Sequence, residues 1–397
     1  MSEIKRQTYL YYAFNFVNRF MVYLPVFVLF LNQKGLSQSK VMILMSAYNI
    51  AIMAGEIPTG IVADKFSRKA SVFIGCILQG IMMLMMVPVT NFVYLIIIEV
   101  IFGIGMTFQS GAMSAMFYDF LKIHKSEELY PGIEGKRWAS VFLSQAIASV
   151  IGGMLTDINI NLTVIITGVA YLLSAVILLL FKEQNQERVT VSYRKHIFIT
   201  WVNIIKNSHT RLMLLVIILT NALFQTTIWL YQPYYSEIGI KVTAYGWAYL
   251  MMNAVSALGG MFSSKVKLSL GQTIAIYMFG NSICIFIMGV CDIPVGVVVP
   301  SIIFFINGII NPWIQSYWEK NIENEERATA SSILSLVSSL VFAIIAIPLG
   351  FICDENGVNM ALIVAAGCFT GVSVIICAIY CIGRNKFENK ELVDRER

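Results

Sequence analysis

The chain has 397 residues, 57% apolar and only 13% charged, with a mean hydropathy of +0.73 and a net charge of +5. A water-soluble domain is nearer half apolar and a quarter charged, so lipid is the expected solvent. So small a net charge is no nucleic-acid signal and matters only through where the charges sit.

Twelve stretches reach the roughly twenty apolar residues that a membrane span needs. They are 8–31, 41–63, 70–89, 92–117, 138–156, 162–181, 211–235, 243–263, 271–290, 293–317, 329–351 and 359–382. The first is too long for a cleavable signal peptide and lacks a small-residue cleavage site. The polar, basic stretch 182–210 divides the spans six and six. It separates an N-terminal bundle (1–181) from a C-terminal bundle and tail (211–397). Within it, Tyr193 to Ile205 has the pattern of an interfacial helix, with Phe198, Trp201 and Ile205 toward lipid. The expected fold is all-α, twelve membrane helices in two pseudo-symmetric six-helix bundles.

Lysine and arginine orient the chain. With both termini cytoplasmic, 24 of the 28 fall inside and only Lys34, Lys40 and Lys241 outside; Arg19 lies within the first span. The expected location is the cell membrane. The halves also repeat weakly: Gly60-Ile-Val-Ala-Asp64-Lys65 is echoed by Gly260-Met-Phe-Ser-Ser264-Lys265.

Polar groups inside spans are costly and usually face a cavity or one another. In the first span, Asn15, Asn18 and Arg19 are spaced to share one helical face, which Tyr11 and Tyr23 extend. Glu56 lies in the second span and Glu99 in the fourth. A rise of about 1.5 Å per residue puts Arg19 roughly 16 Å from the inner edge, near the level of Glu99, with Glu56 lower. One base therefore serves two acids, and a buried carboxyl stays neutral unless a cation or hydrogen bonds offset desolvation. These three are the candidate proton-coupling groups. The second half has polar stripes instead: Asn221, Gln225, Trp229 and Gln232 in span 7, and Asn307, Asn311 and Gln315 in span 10. With Asn15 and Asn18, they are the candidate lining of a solute cavity.

Between spans 2 and 3 runs Gly60-Ile-Val-Ala-Asp64-Lys65-Phe66-Ser67-Arg68-Lys69. Glycine permits close helix approach, and the bases anchor a cytoplasmic hairpin. This stretch resembles the signature loop of the major facilitator superfamily, closely at Gly60, Asp64, Arg68 and Lys69. It departs at Ser67, where the family usually has glycine. Span 4 ends Ser110-Gly111 through Tyr118-Asp119, similar to an ending in one exporter-like group of that superfamily. The resemblance implies that Asp119 latches the signature loop near Arg68. It also implies a site between two similar halves. The antiporter patterns are incomplete. Glu99-Val-Ile-Phe-Gly103 carries an acid where drug–proton antiporters carry arginine, and Gly152-Gly153 lacks the proline that follows in them.

Other chemistries find little support. The seven cysteines fall mostly inside apolar runs with no Cys-x-x-Cys. The histidines (His124, His196, His209) lie in cytoplasmic loops without metal-ligand spacing, and no Walker A pattern appears. No metal and no cofactor are expected beyond the proton gradient as energy source. The leading expectation is a monomeric secondary transporter exporting a small amphipathic compound in exchange for protons. The methionine- and aromatic-rich spans suit adaptable apolar contacts. The alternative is proton-linked movement of a specific polar metabolite, and a membrane-embedded enzyme is the remote one.

Overall fold

The computed structural model describes residues 2–65, 67–182, 193–263, 265, 269–322 and 327–395. Among them the secondary structure is helical throughout, with fourteen α-helices and three short 3-10 turns. In order these are α1 (Ser2–Asn18), α2 (Phe27–Gln33), α3 (Gln38–Lys65), α4 (Arg68–Met86), α5 (Phe92–Gln109), α6 (Ala112–Ile123) and α7 (Tyr130–Leu155). There follow α8 (Asn161–Leu179), α9 (Tyr193–Lys206), α10 (Ser208–Glu237), α11 (Val242–Ser263), α12 (Leu270–Val290), α13 (Val299–Lys320) and α14 (Arg327–Arg395). All twelve apolar runs fall on helical segments. Eight helices among the described residues are long and apolar enough to cross a membrane. The last of these, Thr329–Ile382, is 54 residues long and takes in both final runs. Gly357 interrupts it with φ +84°, a backbone that side chains other than glycine resist.

The first run is not one helix. α1 stops at Asn18, residues 19–23 are non-helical, and a 3-10 turn at Leu24–Val26 leads into α2. Arg19 stands at the C-terminal end of α1, its amide still donating to the Asn15 carbonyl at 3.1 Å, so the shared face ends there and Tyr23 falls beyond the helix. Tertiary bonds compensate for the lost ladder: the Val22 amide donates to Thr167 Oγ1 on α8 at 3.0 Å. The fourth run is likewise bent. Gly111, at φ +69°, separates α5 from α6.

The chain divides into two compact units, Met1–Val191 with Lys241–Leu250, and Ser192–Ile240 with Met251–Arg397. In the first, α3 and α4 pack on α5, α4 on α8, and α1 on α7 and α8. Its core stacks Tyr11 on Phe117 at 4.2 Å beside Phe14, Val72, Cys76 and Leu178. In the second, α12 packs on α13 and α14, and α10 on α14. Met213, Ile217, Tyr277, Trp318 and Ile376 form its core. Long apolar side chains such as Val176, Ile283, Ile344 and Ile375 stay exposed, as lipid-facing surfaces require. In lipid such packing gains dispersion rather than release of water, so the few interhelical polar bonds carry added weight. On α9, Thr200 and Ile204 are buried while Trp201 and Ile205 are exposed, an amphipathic pattern; the Phe198 side chain lies outside the described residues.

Candidate functional site

The loop between α3 and α4 is built by its own residues. Ser67 adopts an extended backbone, φ −166°, and its hydroxyl accepts from the Ala70 amide at 2.9 Å, so it caps α4. A glycine is not needed at that conformation, and the serine supplies a cap that glycine lacks. Lys69 Nζ donates to the carbonyls of Leu179 and Phe181, at 2.9 and 2.5 Å, satisfying the exposed C-terminal end of α8. Arg68 forms an ion pair with Asp119 on α6, both partly buried. The latch expected of Asp64 falls on a side chain outside the described residues. Gly60 is not a close-approach point here: among the described residues nothing lies within 4 Å of where its Cβ would be. Close approach falls instead at other glycines, among them Gly75 and Gly105, where α4 meets α5.

The two acids and Arg19 are distributed differently from the expected network. Glu99 is 4% exposed and makes no ion pair or hydrogen bond among the described residues. Glu56 is half-buried and also lacks an ion pair, and Arg19 pairs with neither acid. Around Glu99 stand three phenols, Tyr23, Tyr48 and Tyr171, each within its electrostatic reach. Arg19 acts on Tyr48, Tyr171 and Cys76 in the same region. The ring of Phe102, one turn from Glu99 on α5, bridges Tyr48 (5.9 Å) and Tyr171 (5.8 Å, edge-on). This phenolic chamber thus draws on the break after α1 and on α3, α4, α5 and α8, with Tyr249 of α11 acting on Tyr23, all within the first unit.

Asn15 and Asn18 turn toward neighbouring helices. Asn18 Nδ2 donates to Ser174 Oγ on α8 at 3.0 Å. Asn15 Nδ2 donates to the Tyr11 carbonyl, and its Oδ1 accepts from Arg137 Nη1 at 3.4 Å. Arg137 belongs to a network that sequence reasoning missed. Its Nε donates to Glu134 at 2.5 Å, and the Tyr11 and Tyr130 hydroxyls donate to the same carboxylate. The i, i+3 spacing of Glu134 and Arg137 was the available signal.

On the other side of α3 and α5 lies an apolar groove of about 690 Å³. Ala47, Ala51, Gly55, Pro58 and Thr59 on α3 and Val100, Ile104 and Phe108 on α5 are among its lining residues. At about 100° per residue, Glu99 lies roughly 140° around α5 from Ile104, whereas Glu56 is roughly 60° around α3 from Thr59, at the groove's margin. Neither carboxyl lines the groove.

In the second unit the span-10 stripe splits. Asn307 is buried: its Nδ2 donates to the Ile303 carbonyl and to Asn281 Oδ1, and its Oδ1 accepts from the Tyr277 hydroxyl at 3.0 Å. Asn311, bonded to the same tyrosine, and Gln315, bonded to Glu319, are exposed. On α10, Asn221, Gln225 and Trp229 are partly buried, and Gln225 Oε1 is buried without a partner. Gln232 is buried and donates to the Tyr231 hydroxyl at 3.2 Å.

The family model of the Major Facilitator Superfamily matches residues 8–346. The chain belongs to that superfamily. No curated protein sequence matches. Among solved structures, the nucleoside transporter NupG is similar at a TM-score of 0.75 and 15% identity, over 96% of this chain and 99% of that one. A POT family transporter in complex with 5-aminolevulinic acid gives 0.75 at 13% identity, over 96% of each. A D-xylose–proton symporter gives 0.68 at 13%, over 93% and 96%. At such identities these share the fold. Superfamily membership makes the chain an integral membrane transporter, and it gives the Arg68–Asp119 pair a setting, since it joins the signature loop to the end of the helix pair α5–α6.

Proposed function

We propose that the chain is a proton-coupled secondary transporter that exports a small amphipathic organic compound by alternating access. The observation that carries the reading is Glu99, a carboxyl buried in the first unit with no ion-pair or hydrogen-bond partner among the described residues. Such a group is neutral at rest and ionises only if its surroundings rearrange, which is the behaviour a proton carrier needs. α5 links proton to solute: it shows Glu99 on one side and part of the apolar groove on the other. A solute that shifts α5 through Val100, Ile104 and Phe108 changes the chamber around Glu99. The groove's volume falls in the usual range for a small-molecule site, and its lining suits the apolar part of an amphipathic solute. The span-4 ending, Ser110-Gly111 through Tyr118-Asp119, favours export.

A second reading, a specific polar metabolite, is favoured by the exposed Asn311 and Gln315 and by the unpartnered Gln225 oxygen. A deletion strain and an overexpressing strain, screened for tolerance of amphipathic toxins and for intracellular metabolites, separate the two. Changed tolerance without a changed metabolite supports the first, and the reverse supports the second. Lack of any effect of an imposed pH gradient on flux of the identified solute would remove the proton from either.

A further inference from the structure

The chamber around Glu99 holds a second group without a partner. Tyr171, on α8, is 1% exposed, and its hydroxyl has no hydrogen-bond partner among the described residues. Buried polar groups are nearly always bonded, so an unpartnered hydroxyl within the electrostatic reach of Glu99 calls for a reason. Its placement is held firmly. Thr167, one turn earlier on the same face of α8, holds the Val22 amide of the broken segment, and the Tyr171 ring packs edge-on against Phe102. The ionisable groups acting on it come from every surrounding element: Arg19 and Tyr23 from the break, Tyr48 from α3, Cys76 from α4 and Glu99 from α5.

Resting on the reading of Glu99 as proton carrier, we propose that Tyr171 is its positioning residue: its hydroxyl becomes the hydrogen-bond donor to Glu99 when that carboxyl gives up its proton. The step balances without covalent change. Glu99–COOH passes H⁺ to a water molecule, giving carboxylate and hydronium. The Tyr171 O–H, keeping its own proton, then donates to the new carboxylate oxygen. Before release, Glu99 is neutral; the hydroxyl is unengaged among the described residues, as seen here. After it, the pair is satisfied. The orphan hydroxyl is thus a partner held in reserve for the other protonation state. Charge-assisted bonds of this kind are about twice as strong as neutral ones.

The test needs only protons as ligand. Infrared difference spectra of the purified, reconstituted protein, recorded against pH, report the C=O stretch of a protonated carboxyl. A band absent from Glu99→Gln belongs to Glu99, and the pH at which it disappears measures its ionisation. Tyr171→Phe removes one oxygen that bonds to nothing in this structure, so folding should persist. The expected result is a midpoint about one pH unit higher than in the wild type, a roughly tenfold tighter hold on the proton. Tyr94→Phe, altering an exposed tyrosine on α5, should leave it unchanged. A Glu99 band with the same midpoint in Tyr171→Phe and wild type overturns the role of Tyr171 and leaves the proton-carrier reading standing. If no titrating band is lost in Glu99→Gln, the proton-carrier reading itself falls, and the Tyr171 proposal with it.

Discussion

Two glycine-to-alanine changes, Gly75→Ala and Gly60→Ala, should have opposite effects on stability. At Gly75 an added Cβ would lie 2.6 Å from the Gly105 carbonyl oxygen and 2.7 Å from Gln109 Cγ. Non-bonded heavy atoms prefer about 3.5 Å or more, so α4 and α5 must part by close to 1 Å. Overpacking of this kind costs roughly 1–3 kcal/mol. Alanine's helix propensity returns about 1 kcal/mol, leaving a net loss of about 0–2 kcal/mol. Gly60 has open space at its Cβ among the described residues, so Gly60→Ala keeps the propensity gain of up to about 1 kcal/mol. The two variants should differ by about 2 kcal/mol, or roughly 4–8 °C in melting temperature for a unit of this size. Thermal unfolding of the purified proteins in one detergent measures it. A melting temperature for Gly60→Ala that falls as far as that of Gly75→Ala would refute the reasoning. A stable Gly60→Ala with impaired transport would place the need for that glycine in another conformation.

The Arg68–Asp119 pair should be worth about 1–2 kcal/mol, more than an exposed pair and less than a fully buried one, because its side chains are 31% and 22% exposed. A double-mutant cycle of Arg68→Gln and Asp119→Asn, read by thermal stability, checks this; a coupling energy of zero would mean that the contact is not held. At the N-terminus, Lys182 beside Glu3 holds its carboxyl below the usual carboxylate range, with a contact of 2.7 Å. Because that carboxyl's folded value is the lowered one, the contact's contribution is present above the ordinary carboxylate value. It is lost as pH falls through the lowered one. A fluorophore pair reporting the distance from residue 3 to residue 182 should therefore be flat near neutrality and lengthen only in acid. Lys182→Gln should lengthen it at neutral pH, and the same distance in variant and wild type would count against the bond.

The apolar runs were legible because a membrane span writes itself in composition, and each of the twelve falls on helix. The break after Asn18 was not. Pro25, which withholds an amide and crowds the Met21 carbonyl, was the one sign of it, but the bond that stabilises the opened chain comes from Thr167, 145 residues away. For the same reason Tyr23 was placed on a helix face that it does not share. Asn307 was visible as a polar residue recurring at helical spacing. Periodicity, however, cannot tell a side chain facing solute from one bonded to the next helix, and Tyr277 and Asn281 decide that here. The meeting of Arg68 with Asp119 was suggested by family resemblance, whereas the capping role of Ser67 depends on a backbone angle that sequence does not carry. Glu99 stood out as an acid among apolar residues. Of its phenolic surroundings only Tyr23 was marked, as an extension of the polar face of the first span; Tyr48 and Tyr171 look like ordinary span aromatics until the helices are packed.

The account rests most heavily on Glu99 as the group that exchanges the proton. The direct measurement is solute flux into liposomes holding purified wild type, Glu99→Gln or Glu56→Gln, with a solute identified by the strain screen, under an imposed pH gradient and again as gradient-free counterflow. Glu99→Gln should lose gradient-driven accumulation and keep counterflow, since the amide preserves shape but carries no exchangeable charge. Glu56→Gln should keep accumulation, because that carboxyl lies outside the phenolic chamber. Accumulation at the wild-type rate in Glu99→Gln would contradict the account.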